Sequence, residues 1–348
     1  MDKFDNFSEG KRNVTISLCM IVKNEEAVLA RCLDSLKGLT EEIIIVDTGS
    51  TDRTKEIASR YTDRIYDFDW TGDFSEARNF AFSKASCEYI YSADADEALD
   101  EENRRRFLTL KRTLLPEVEI VQMYYCNQLA NGSVYNFDRE LRAKLFKRVR
   151  GFTWIDPVHE TVRTEPVVFN SEIEIQHLPA ESHAGRDLSI FERVTGEGKK
   201  LSKRLERMYA KELLISEDEA ALLRAEGYFT RVADDDETEP ERLKDAVCVV
   251  TKAAFLSGNY LKMYRYALKE VAMEPASEVC YVLGEYYLKE DDLKEATVWF
   301  YNAVFETESA LSLRHGGDLA LERLADCYER LGDREQAERC REMAEQYE

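Results

Sequence analysis

The stretch Cys87-Glu-Tyr-Ile-Tyr-Ser-Ala-Asp-Ala-Asp-Glu-Ala-Leu99 constrains the fold more than any other. A β-prone run, Tyr89-Ile90-Tyr91, stops abruptly at Asp94-Ala95-Asp96-Glu97. Three carboxylates within four residues at a strand end are costly to pack unless a cation or hydrogen-bond donors sit among them. In open α/β sheets ligands bind beyond the carboxyl ends of the strands. Hard cations such as Mg2+ and Mn2+ take carboxylate oxygens there and bridge to phosphates. Asp94 and Asp96 therefore suggest a metal–diphosphate site. An isolated Asp-X-Asp is also what an acidic helix cap looks like, so its neighbourhood must decide.

Bulk properties narrow the choices. At 348 residues and 44% hydrophobic, the chain can fill two domain cores. A net charge of −21 argues against a nucleic-acid-binding surface. It leaves an anionic substrate open, because a local metal reverses the field. The start, Met1 to Gly10, is polar and unlike a signal peptide, and the apolar run Ile16–Val22 is too short to span a bilayer. Eight scattered cysteines without a C-x-x-C pair read as reduced core thiols. A soluble, cytoplasmic protein is expected.

Along the chain, buried strands alternate with helices. Thr15–Val22 ends at Lys23-Asn24-Glu25-Glu26 and is followed by apolar residues at helical spacing from Val28 to Leu36. Glu42–Val46 ends at Asp47-Thr-Gly-Ser50-Thr51-Asp52, where Ser50 or Thr51 is placed to cap a helix through Arg60. Arg64–Phe68 leads to Asp73, and Ser75 is placed to cap a helix over 76–85 carrying Arg78 and Asn79. The strand over 88–93 then delivers Asp94 and Asp96. This alternation means a parallel sheet with right-handed crossovers, an α/β layer. Glu25, Asp47, Asp94 and Asp96 then share one rim. Glu25 and Asp47 could take hydrogen bonds from a ribose or base, and Arg78 could pair with a diphosphate. The plainer alternative for Arg78 is a surface salt bridge to Glu76 or Asp73.

I-S-L-C-M-I-V-K-N-E-E, E-I-I-I-V-D-T-G-S-T-D-R-T, W-T-G-D-F-S-E-A-R-N-F-A and Y-S-A-D-A-D-E together resemble the nucleotide-sugar domain of family-two glycosyltransferases of GT-A fold. Four linked motifs are far more specific than one. The resemblance implies that Glu25 and Asp47 hold the nucleoside, Asp94 the ribose or metal, and Asp96 the metal. Ala95 joins the donor-binding stretch between them. Many members have Pro where this chain has Ile21, a change with no expected functional cost. Nucleotidylyltransferases share the architecture, but their glycine-rich phosphate loop has no counterpart in Met20–Glu25.

Further on, a helix over 101–114 ends near Pro116, and strands follow over 118–125 and 141–146, the latter antiparallel, with Asn131-Gly132 as a turn signal. Gly151-Phe-Thr-Trp-Ile-Asp156-Pro-Val-His159-Glu160 forms a plausible acceptor pocket. An inverting transfer needs one group to take the acceptor proton, and Asp156, His159 and Glu160 are the candidates. The His-Glu pair followed by a strand ending in His177 also resembles the family members that carry a helical-repeat tail. Glu160 is the expected base, His159 orients a phosphate or the base, and His177 is a metal ligand beside Asp96. Structural roles compete: His159 as a hydrogen-bonded scaffold residue, His177 as a strand cap.

From Leu188 helical periodicity dominates. Phe191–Ile215 reads as one helix or two, and Asp234–Pro240 as a solvated acidic loop with a helix cap. Leu283, Gly284, Tyr287, Ala296, Phe300 and Ala303 sit at tetratricopeptide spacing, and Ala325, Tyr328, Gly332, Ala337 and Ala344 repeat it. A weaker copy surrounds Ala254, Gly258 and Ala267. The layout resembles sublancin-type peptide glycosyltransferases. The expected organisation is an N-terminal extension (1–14), a GT-A domain (15–185) and a helical domain with repeats (186–348). The expected function is transfer of a sugar from a nucleotide donor, UDP-linked, with Mg2+ or Mn2+, to a peptide or protein. A surface polysaccharide or glycolipid acceptor, and a non-catalytic repeat scaffold, are the alternatives. A homodimer through the repeat face is also open.

Overall fold

The computed structural model describes residues 13–126, 139–162, 166–179, 184–216, 218–272 and 274–347. The Asn131-Gly132 turn and nearly all of the N-terminal extension lie outside them. The chain forms two compact units, Met1–His183 and Ala184–Glu348.

In the first unit, strands and helices alternate: β1 (Ile16–Val22), α1 (Leu29–Leu36), β2 (Glu42–Asp47), α2 (Thr54–Ala58), β3 (Ile65–Asp67), α3 (Phe74–Ser83), β4 (Tyr89–Ser92), β5 (Glu97–Ala98) and α4 (Glu101–Thr113). Then come β6 (Ile120–Cys126), β7 (Glu140–Lys147), a short pair β8 (Trp154–Ile155) and β9 (Thr161–Val162), and β10 (Val168–His177). Eight of them form one sheet in the order β3-β2-β1-β4-β7-β6-β10-β5. β1 to β4 are parallel to one another, β7 is antiparallel to both β4 and β6, and β10 runs parallel to β6. The parallel expectation thus holds for the first four strands, and the sheet as a whole is mixed, the GT-A architecture. Because β10 runs in the sense of β4, its end at His177 reaches the rim where β1, β2 and β4 end.

The strands β1, β2 and β4 are buried on both faces, which is why they are almost continuously apolar. Ile16, Leu18, Met20 and Val22 of β1 pack with Leu29, Cys32, Leu33 and Leu36 of α1 and Phe107 and Leu110 of α4. Cys19, on the other face, packs with Ala81 and Phe82 of α3 and with Phe146 and Trp154.

Two helix starts differ from expectation. The side chains of Ser50 and Thr51 do not cap α2, which begins at Thr54 and takes a hydrogen bond to Asp52 at that residue's amide (2.9 Å). Instead Ser50 Oγ accepts from the Asn24 amide (2.9 Å) and the Thr51 amide donates to Asn24 Oδ1 (2.8 Å), lacing two rim loops together. Asp73, not Ser75, caps α3, accepting from the Ser75 and Glu76 amides. A carboxylate is the stronger acceptor, and the Ser75 hydroxyl itself donates to it (2.7 Å).

The second unit is helical: α5 (Ala184–Gly196), α6 (Lys203–Ile215), α7 (Glu219–Ala233), α8 (Pro240–Leu256), α9 (Tyr260–Val271), α10 (Ser277–Lys289), α11 (Leu293–Tyr301), α12 (Asp318–Leu331) and α13 (Arg334–Ala344). The 191–215 region is two helices. The acidic loop before Pro240 is a cap and a turn, with Asp234 accepting from the Tyr266 hydroxyl (2.7 Å). Three helix pairs, α8/α9, α10/α11 and α12/α13, share one turn. A residue with left-handed backbone (Gly258, Asp291, Gly332) ends or follows the first helix. The next residue, Asn259, Asp292 or Asp333, caps the second through its side chain. In the middle pair Gly284 lies against the Phe300 ring, where a Cβ would come within 2.7 Å. That close approach is what the small residue of the repeat permits.

Candidate active site

The rim is assembled from loops that the local sequence holds tightly. At the end of β2, Asp47 is 1% exposed. Its Oδ2 accepts from the Gly49 (3.1 Å) and Ser50 (3.0 Å) amides and faces Lys55 at 3.5 Å. Gly49, at φ +100°, makes this turn possible. The other oxygen, Oδ1, is buried and takes no hydrogen bond from the described residues. Glu25, half-buried at the end of β1, donates through its amide to Thr54 Oγ1 (2.7 Å).

Past β4 the acidic run meets two cations. Arg78, from the first turns of α3, is inserted among carboxylates, not on the surface. Its Nε donates to Glu160 Oε1 (2.5 Å), one terminal nitrogen to Ser92 Oγ (2.8 Å) and the other to Asp94 Oδ1 (3.1 Å). Its guanidinium lies 5.0 Å from the Trp154 ring centroid. Neither Glu76 nor Asp73 is its partner. Lys144 of β7 bonds Glu97 Oε1 and stands 3.6 Å from Asp94 Oδ2. Burial opposes ionisation of Asp94, but Arg78 and Lys144 prevail and hold its carboxyl well below the usual carboxylate range. Ala95 is buried. Asp96 Oδ2 faces His177 Nε2 at 3.1 Å, while Asp96 Oδ1 is buried without a hydrogen bond from the described residues.

Glu160 reaches Arg78 because Asn79, the next residue of α3, binds β8 like a strand edge. Its side chain donates to the Trp154 carbonyl (2.9 Å) and accepts from the Trp154 amide (2.8 Å). The Phe74 amide donates to the Pro157 carbonyl (2.9 Å). Asp156–Glu160 is the loop between β8 and β9, with Asp156 and His159 at φ 76° and 49°. Such left-handed non-glycine backbone is costly and concentrates at functional sites.

The structure therefore joins Arg78, Asp94 and Glu160 in one network and Asp96 with His177 in a second contact. Asp47 and Glu25 stand on neighbouring laced loops, and Asp156 and His159 on the loop that carries Glu160. Sequence reasoning missed Ser92, Asn79's grip on β8 and, above all, Lys144. The last stood in the sequence only as a lysine between Ala143 and Leu145.

The sheet order and this acidic rim define a sugar-nucleotide transferase unit of GT-A fold. Residues 17–160 match the family model described as Glycosyl transferase family 2. That match lies within the sheet unit, and a tetratricopeptide-like helical tail follows it. Among relatives, an uncharacterized glycosyltransferase of Rickettsia typhi is 30% identical over 172 residues, 46% of this chain and 54% of that protein. The glycosyltransferase SunS of Bacillus subtilis is 31% identical over 167 residues, 47% of this chain and 37% of that protein. A TPR repeat-containing protein of Synechococcus elongatus is 46% identical over 90 residues, 26% of this chain and 22% of that protein. The chain thus spans about half the length of the first of these and less of the others. Of solved structures, glucosyl-3-phosphoglycerate synthase from Mycobacterium tuberculosis aligns with a TM-score of 0.41 at 15% identity, covering 55% of this chain and 83% of that one. No helix among the described residues is long and apolar enough to cross a membrane.

Proposed function

We propose that the protein is an inverting glycosyltransferase that moves a sugar from a UDP-sugar to a peptide or protein, with Mg2+ or Mn2+ as cofactor. The observation that carries this reading is the pair of buried carboxylate oxygens, Asp47 Oδ1 and Asp96 Oδ1, without hydrogen bonds from the described residues on one rim. A buried acceptor without a donor is costly, and each is relieved by a part of a nucleotide-sugar complex. Asp47 Oδ1 takes a base N–H or ribose hydroxyl, with Glu25 beside it. Asp96 offers the carboxylate oxygen that a hard cation prefers, and with His177 beside it would hold the ion. The chemistry such an ion supplies is neutralisation of the departing diphosphate.

The remaining residues orient and deprotonate. Arg78 hydrogen-bonds both Asp94 and Glu160 and presents positive charge towards the donor diphosphate. Glu160 gives one oxygen, Oε1, to Arg78, and its second oxygen is the one to receive the acceptor proton. Asp156 and His159 are the other candidates for that step. A repeat array suits an extended peptide, in keeping with the resemblance to sublancin-type enzymes.

One relative, a lipopolysaccharide core biosynthesis glycosyltransferase of Rhizobium meliloti, is 36% identical over 108 residues and favours a saccharide acceptor instead. Incubation with UDP-sugars and Mn2+, with peptide and lipopolysaccharide-core acceptors in parallel, separates the readings by mass spectrometry. A mass increment of one hexose on peptide, with inverted anomeric configuration by NMR, is expected. Transfer only to the saccharide would replace the acceptor assignment.

A further inference from the structure

Lys144 is a lysine where a sheet rarely holds one: 5% exposed, on the strand β7 that pairs with β4 on one side and β6 on the other. Its placement is built in. Across β6 and β7, Leu145 pairs with Val121 but Ala143 pairs with Gln122, so Lys144 is the extra residue of a β-bulge. A bulge re-aims the side chain it carries, and here it directs the ammonium to Asp94 and Glu97 at the rim. The ring of Tyr125, 5.2 Å from Nζ, backs it, and the same ring lies 5.0 Å from His177.

We propose that Lys144 is a resident counter-cation of the acidic cluster, a positioning residue that competes with the divalent ion and makes its binding depend on the donor nucleotide. The proposal rests on the sugar-nucleotide reading given above. A fixed positive charge beside Asp94 and Glu97 does two things. It holds both carboxylates in place without a metal, so that the cluster does not fly apart through like-charge repulsion. It also repels a dication entering alone, a penalty of about tenfold or more in affinity at the effective dielectric of a protein rim. A nucleoside diphosphate brings negative charge that offsets this repulsion. Ion and nucleotide therefore bind cooperatively, and Lys144 sets the coupling.

The test is Mn2+ affinity of the full chain, by electron paramagnetic resonance of free Mn2+, with and without UDP. The wild type is expected to bind Mn2+ weakly alone and much more tightly with UDP. Lys144→Met and Lys144→Gln should each bind Mn2+ alone about tenfold tighter, with the gain from UDP correspondingly smaller, while Lys144→Arg stays like the wild type. Gln can still hydrogen-bond Glu97, and excess Mn2+ should restore folding to either neutral variant should it unfold. Neutral variants that bind Mn2+ no tighter than wild type, that remain unfolded at saturating Mn2+, or that Arg mimics, would overturn the proposal and leave the transferase reading standing. A wild type that binds neither Mn2+ nor UDP would overturn both.

Discussion

Glu270 on α9 lends itself to a quantitative prediction. It is 6% exposed, and neither carboxylate oxygen makes a hydrogen bond of normal geometry with the described residues. Burial pushes its acid group from the ordinary 4.5 to about 8, against the attraction of Lys244 and the Ala276 amide and reinforced by Glu278 and Asp245. The folded chain thus keeps a proton that the unfolded chain releases near 4.5. Between the two values the unfolded state binds fewer protons, so stability is present at low pH and is lost as pH rises. The slope approaches about 1.4 kcal/mol per pH unit, up to roughly 3 kcal/mol between pH 5 and 8. Glu270→Gln removes this dependence and leaves the other titrating groups common to both proteins. Urea unfolding followed by far-UV circular dichroism, at matched ionic strength, should show the wild type's advantage over the variant shrinking steadily from pH 5 to 8. Parallel stability profiles for the two proteins would refute the reasoning, since they would mean that Glu270 titrates alike folded and unfolded.

Two further outcomes follow from the packing. Gly284→Ala should destabilise the helical unit by about 1–3 kcal/mol, because its methyl group meets the Phe300 ring; Phe300→Leu in the same chain should recover part of the loss, read as the thermal midpoint. Asn79→Ala removes both hydrogen bonds to the Trp154 backbone and loosens the Asp156–Glu160 loop without touching Asp47 or Asp96. Turnover should fall about tenfold or more while UDP affinity by calorimetry stays unchanged; an equal loss of UDP affinity would place that loop in donor binding instead.

Much of this was legible in order along the chain. The apolar runs at 16–22 and 42–46 could only be strands covered on both faces, and strands of that kind alternating with helices put Glu25, Asp47 and Asp94 at one rim. The repeats were legible from the spacing of their small and aromatic residues, Gly258 and Gly332 among them, whereas the left-handed turn that both make, and that Asp291 makes in the middle pair, was not. What the pattern could not carry was contact across distant segments. Arg78 and Glu160 are 82 positions apart, and nothing local in either marks the pairing, which depends on Asn79 binding β8. Lys144 was hidden for another reason: bulges depend on how two strands register, which alternation within one strand does not report. The caps went astray where two acceptors stood side by side, Asp73 beside Ser75, and the charged one prevailed.

The central claim is that the rim binds a nucleotide-sugar through a metal held at Asp96. Hydrolysis of a panel of UDP-sugars by the purified protein, followed by mass spectrometry with and without Mn2+, tests it most directly. Slow, metal-dependent release of UDP from one donor, abolished in Asp96→Ala while the protein stays folded, is the predicted result. No release and no UDP binding in the presence of Mn2+ would contradict it.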